Sequence, residues 1–276
     1  MPDAPPVLRI TAERRSGLGF VELWHVRELT LFFALREIKS RYRQTVLGVG
    51  WAVLQPLMAM LVFYVVFGRI GKMATGSVPY PVFALSGLIA WQLFSSAVTG
   101  AGQSLVSNQG LLTKVYFERL AFPVSATLIA VVDAMVALGL LAIVMVWSGV
   151  APDPLRVLAM PLVLALVFAL AAGVGVWLAA LVLRFRDLRH ALPLLIQLWM
   201  FTSPVGYPAS RVPAEWRLLY DLNPVVGAIE AFRWTVIGGD APPMISVVWA
   251  AVAALVLFTT GAAFFQRVER TFADIA

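Results

Sequence analysis

Side chains able to do covalent chemistry are sparse in this sequence. There is no cysteine, which removes disulfides, thiolate nucleophiles and cysteine metal sites. The two histidines, His25 and His190, are far apart and give no metal-ligand spacing. The three lysines, Lys39, Lys72 and Lys114, lack the glycine pattern of a loop that wraps nucleotide phosphates. No catalytic triad or paired-carboxylate site is recognisable. If ATP drives this protein, another chain must hydrolyse it.

Three kinds of side chain remain. Asp133 is an acidic residue well inside an apolar run, where charge is costly and faces protein or water. It contacts a substrate, or it anchors a neighbouring helix. Basic residues cluster near the N-terminus, with Arg36, Lys39, Arg41 and Arg43 within eight positions. Aromatic residues are plentiful, at 9 Trp, 6 Tyr and 17 Phe. Trp51, Trp91 and Trp147 lie near the ends of apolar runs, as an interfacial belt would. Aromatic rings also stack on the apolar faces of sugars. Tyr64, Phe94, Trp199, Phe201 and Tyr207 are therefore candidates to line a pore for a glycan, with Trp91 and Phe232 added at the pore or its gate.

The elements that must position these residues follow from composition. Of 276 residues, 61% are apolar and 13% charged, against roughly 25% charged in soluble domains. A soluble enzyme and a disordered chain are both excluded on those grounds. Six nearly uncharged runs, Val49–Phe67, Val82–Thr99, Phe122–Trp147, Leu158–Leu183, Leu192–Val205 (extended to Tyr207) and Ile245–Phe265, predict six transmembrane helices. The runs are continuously apolar, which disfavours a β-barrel. The expected fold is an all-α integral membrane protein. Its parts are a cytoplasmic lead over 1–27, an interface helix over 28–46, a six-helix domain over 49–265 and a cytoplasmic tail over 266–276.

The lead has no apolar core of signal-peptide type, so no cleaved signal is expected. Over 28–46, Leu31, Leu35, Ile38 and Tyr42 recur on one helical face and Arg36, Lys39 and Arg43 on another. That is an amphipathic helix suited to the membrane interface. With both termini inside, 15 of the 21 Lys+Arg fall on the cytoplasmic side, in line with the positive-inside rule. The net charge of +6 is thus explained by topology, and nucleic-acid binding finds no motif. Between spans five and six, Asn223-Pro224 starts a helix and Gly238 stops it. This helix, about 224–237, carries Glu230 and Arg233 and is too short to span. It caps a pore, dips into the outer leaflet, or belongs to a structured external loop. Segments 103–120 and 184–191 face the cytoplasm and either dock a partner or simply anchor the span ends. No internal repeat is present, so a pathway is formed most simply by symmetric dimerisation.

The stretch ALREIKSRYRQTVLGVGWAVLQPLMAMLVFYVVFGRI resembles the opening of polysaccharide-export permeases, in the type-two ABC exporter superfamily. Arg36, Lys39, Arg41, Tyr42, Thr45, Leu47, Gly48, Trp51, Gln55, Pro56 and Leu57 carry the match. PVFALSGLIAWQLF, SLVSNQGLLTKVYF, SPVGYP and LNPVVGAIEAFRW resemble the same family in order, over about residues 28–265. One departure is Phe117-Glu118-Arg119, where the family usually reads Phe-Pro-Arg. The resemblance implies the membrane half of an ATP-driven exporter in a bacterial cytoplasmic (inner) membrane. It would be paired with a second copy of itself and with two ATPase subunits that carry ATP and Mg, and would bind no cofactor itself. The cargo would be a polysaccharide on a lipid diphosphate, of O-antigen, capsule or teichoic-acid type. By position, Arg36, Lys39, Arg41 and Arg43 would attract the diphosphate or anchor to anionic lipid. Lys114, Tyr116, Glu118, Arg119, Arg186 and Asp187 would touch the ATPase, and the external short helices would gate the exit. Rival readings are an exporter of drugs or simple lipids, a membrane enzyme acting on lipid-linked sugars, and a passive channel.

Overall fold

A computed structural model describes residues 27–43, 50–76, 78–108, 110, 119–185, 187–239 and 241–273. All of the regular structure among them is helical. The amphipathic segment forms α1, Arg27–Arg43. The first apolar run is α2, Gly50–Phe63, which widens into a π-helix over Tyr64–Ile70. Next come α3, Tyr80–Ser107, and α4, Ala121–Trp147. After the short α5, Pro154–Val157, the chain forms α6, Met160–Arg184. Then follow α7, Leu188–Phe201, α8, Ala214–Asp221, α9, Pro224–Ile237, and α10, Met244–Ala273.

Five of these stretches are long and apolar enough to cross a bilayer: Gly50–Ile70, Tyr80–Ser107, Ala121–Trp147, Pro154–Arg184 and Met244–Val268. The expected fifth span, Leu192–Tyr207, is not one helix. It stops at Phe201 because Thr202, Ser203 and Pro204 follow. A proline pushes the residue before it out of the helical region, and α7 keeps only 14 residues. At the other end of the chain, α10 runs past the expected boundary at Phe265 to Ala273. Gln266, Arg267 and Glu269 are good helix formers, so the helix outlasts its apolar run.

Helix α3 is the centre of the packing. It touches α2, α4, α6, α7 and α9, and most of its side chains are buried. Gly175 lets α6 close onto it, since a Cβ there would come within 2.6 Å of Ala101 Cβ. Small residues of this kind let helices approach closely in lipid, where packing rather than hydrophobicity drives association. On the far side of α6, Gly173 and Gly261 do the same for α10.

The segment from α7 onward runs antiparallel to α3. Leu192 lies against Gly102. The Trp199 ring meets Phe94 edge-on at 5.1 Å between centroids. Val205 sits beside Gly87, and the Tyr80 hydroxyl donates to the Gly206 carbonyl at 2.7 Å. Residues 192–205 thus track α3 from Gly102 back to Gly87, about 22 Å of helix rise.

Candidate functional site

One face of α3 breaks the apolar pattern. Gln92, Ser96, Thr99, Gly100, Gln103 and Ser107 are among its few positions that are not buried. Their spacing of three, four and seven places them on one side of the helix. In a membrane, such a stripe requires water, another protein surface or a polar cargo.

The stripe is the wall of a groove of about 820 Å³. Gln55 of α2, Gln197 of α7, and Ser125 and Ala126 of α4 complete the walls, and Arg36, Glu37 and Ser40 of α1 stand at one end. From Gln92 to Ser107 the groove follows about 22 Å of α3. Arg36 is tied to that end, where its Nη2 donates to Asn108 Oδ1 at 3.0 Å and its guanidinium lies 5.6 Å from the Phe33 ring. Phe33 stacks on Phe122 at 4.7 Å, which fixes α1 against α4.

Hydrogen bonding within the groove is lopsided. Ser95 Oγ donates to the Gln92 carbonyl, Thr99 Oγ1 to Ser95, Ser104 Oγ to Ala101 and Ser125 Oγ to Phe122. These hydroxyls spend their protons on their own helices and keep lone pairs toward the groove. Gln92 Nε2 donates to Ser96 Oγ at 3.0 Å. Among the described residues, the amides of Gln55, Gln103 and Gln197 make no hydrogen bond.

At the opposite end of α3 a second arrangement holds the chain after α7. Arg233 of α9 is only 5% exposed. Its Nη1 meets Glu230 Oε1 at 2.6 Å, its Nη2 donates to the Pro204 and Val205 carbonyls at 2.6 and 3.3 Å, and its plane lies 3.9 Å from the Phe83 ring centroid. Burial pulls this guanidinium below its ordinary pKa, and Glu230 pushes it back. Asn223 makes a matching knot. Its Oδ1 caps α9 through Val225 N at 3.1 Å and accepts Trp199 Nε1 at 3.0 Å. Its Nδ2 donates to Ser203 Oγ and the Thr202 carbonyl.

The residues singled out from sequence fall in four groups. Arg36 stands at the groove mouth and Lys39 is exposed on α1, while the side chains of Arg41 and Arg43 lie outside the described residues. Lys114, Tyr116, Glu118 and Arg186 also lie outside them; Arg119 is half-buried just before α4, and Asp187 is exposed just before α7. Trp91, Phe94 and Phe232 are buried in the core and brace helices rather than face the groove. Tyr64, Trp199 and Tyr207 are half-buried and Phe201 is exposed, and none of the four lines the groove. Tyr64 accepts from Arg69 Nε at 3.3 Å, and the Tyr207 hydroxyl donates to the Phe201 carbonyl at 3.0 Å. Sequence reasoning missed Gln92, Thr99, Gln103 and Gln197 altogether. Glutamines recurring inside apolar runs were the available signal.

A helix bundle apolar enough to cross a membrane and carrying a polar groove is consistent with a transport subunit, and comparison with known proteins agrees. Residues 28–237 match the family model described as ABC-2 type transporter. An O-antigen export system permease protein, RfbA, of Myxococcus xanthus is 30% identical over 90% of this chain and 95% of that relative. A protein of the same name from Klebsiella pneumoniae is 24% identical over 92% and 96%. The polysialic acid transport protein KpsM of Escherichia coli is 28% identical over 92% and 97%. Matched over most of its length by the family model and by full-length relatives, the chain belongs to the ABC-2 type transporter family.

Proposed function

We propose that this chain is the membrane permease of an ATP-driven exporter that moves a lipid-linked polysaccharide across a bacterial inner membrane. The observation that carries the reading is the polar groove. It follows α3 through apolar surroundings and starts beside Arg36, in a chain whose relatives are named for O-antigen export and polysialic acid transport. Amides and hydroxyls at membrane depth serve a hydroxyl-rich cargo.

In this reading α7 and residues 202–206 together make a sixth crossing, because they run beside α3 to the level of Tyr80. Both termini are then cytoplasmic. Helix α1 lies in the inner interface, where Arg36 and Lys39 meet the diphosphate of the carrier lipid. Two copies face each other across the path. Two ATPase subunits, with ATP and Mg, dock against 108–119 and 184–190. The external helices α8 and α9 close the exit, and the aromatic residues around Tyr64, Tyr207 and Phe201 line it. ATP binding opens the path only to the extent that the open state holds the ATP-bound partner better than the closed state does.

The test is reconstitution. Purified permease and its co-purifying ATPase, placed in liposomes with lipid-linked glycan, are expected to move glycan to the far side only with ATP and Mg. Translocation without ATP would favour a passive channel. ATPase activity driven by small amphiphiles and indifferent to glycan would favour a drug or lipid exporter.

A further inference from the structure

We infer that the groove selects for an uncharged, hydroxyl-rich polymer and disfavours a polyanionic one, with Gln55, Gln103 and Gln197 as the specificity-determining side chains; this rests on the export reading above.

The argument is one of donors and acceptors. Ser95, Thr99, Ser104 and Ser125 have given their protons to their own helices and offer the groove lone pairs. A sugar hydroxyl can donate to such an oxygen, whereas an ionised carboxylate has no proton to give. The three unengaged amides supply both a carbonyl oxygen and an NH2 group. They suit a hydroxyl, which donates and accepts at once. A carboxylate could use only the NH2 half of each such amide and would meet lone pairs at the four hydroxyls whose protons are already spent.

Charge points the same way. Among the described lining residues the charged ones are Arg36 and Glu37, both at the mouth on α1. Arg36 is engaged with Asn108. Moving a carboxylate through a low-dielectric passage without a counter-charge is costly. A polymer with one carboxylate per sugar would meet that barrier at every step.

The experiment uses permease and ATPase in liposomes with two lipid-linked polymers of equal length on the same carrier. One is built of neutral hexoses and the other carries a carboxylate on each residue. The expected result is ATP-dependent entry of the neutral polymer at least about tenfold faster. Equal rates, or faster entry of the anionic polymer, would overturn the selectivity with the export reading intact. Entry of neither polymer would overturn the export reading and the selectivity with it. Gln103→Lys is then expected to narrow the ratio by raising anionic transport. Gln197→Lys, at an exposed position that tolerates a longer side chain, serves the same purpose if the first variant does not assemble. An unchanged ratio in a folded, ATP-responsive lysine variant would remove the glutamines from the assignment.

Discussion

Gly87 is one of the positions where the bundle leaves no room for a side chain. A Cβ there would stand 2.5 Å from Arg233 Nη2 and 2.6 Å from the Val205 carbonyl oxygen. Both atoms are held in place, because Arg233 is fixed between Glu230, the Pro204 and Val205 carbonyls and the Phe83 face. Gly87→Ala is therefore expected to destabilise by about 1–3 kcal/mol through overpacking, read as a lower unfolding midpoint in detergent. Gly100→Ala is the control on the same helix. Its nearest neighbour would be 3.4 Å away, at ordinary contact distance. The better helix propensity of alanine, worth up to about 1 kcal/mol, should leave stability unchanged or raised. Equal loss in both variants would show that Arg233 yields, and that the clamp is soft. None of this was legible in the sequence. Arg233 reads there as a reason for α9 not to span, and its partners lie about thirty and 150 positions away.

At the scale of elements, α9 was readable and α7 was not, and the contrast has a physical cause. The start and stop of α9 are local. Asn223 caps it, Pro224 takes the first turn, and Gly238 adopts the left-handed φ of 73° that ends it. The course of α7 beyond Phe201 depends on hydrogen bonds from Tyr80 and Arg233, which no local pattern announces. The groove was hidden for a different reason. Ser96, Gly100 and Ser104 look like a small-residue packing ridge in the sequence, yet all three line the groove. Asn223 joins the readable helix to the unreadable one. Asn223→Ala removes the cap, leaves Trp199 Nε1 without its acceptor, and frees residues 202 and 203. A loss of about 2–3 kcal/mol is expected from the cap and the stranded donor together. Faster amide exchange should be confined to the start of α9 and the end of α7. Asn223→Asp keeps the acceptor for Val225 and Trp199 and loses only the NH2 donor, so its effect should fall between. Uniformly faster exchange across the bundle would mean that Asn223 is one more packing contact and no junction.

For the whole molecule the decisive quantity is the parity of crossings. Five helices meet the length and hydropathy needed to span, and five crossings would put the termini on opposite sides. At 14 residues α7 rises about 21 Å, short of a hydrocarbon core of about 30 Å. Non-helical backbone at membrane depth is tolerated only where it is buried in protein or lines a polar cavity. Residues 203–205 meet that condition, being buried with two carbonyls held by a buried guanidinium. This is why six crossings are expected despite the short helix. The absence of cysteine makes the test clean, since each introduced thiol reports alone. With a membrane-impermeant maleimide added to intact cells, Asp153→Cys and Glu215→Cys should label at once. Ser40→Cys and Asp187→Cys should label only after permeabilisation. Asp187 and Glu215 bracket α7, so labelling of both from one side would mean that α7 turns back within the membrane. The two termini would then face different compartments, and the positive-inside count over the last loops would have misled. Opposite labelling would fix α7 as the helix whose cytoplasmic start and external end are joined by the shortest path through the bundle. Any motion imposed at Asp187 would then reach Trp199, Asn223 and the cap of α9 along a single element.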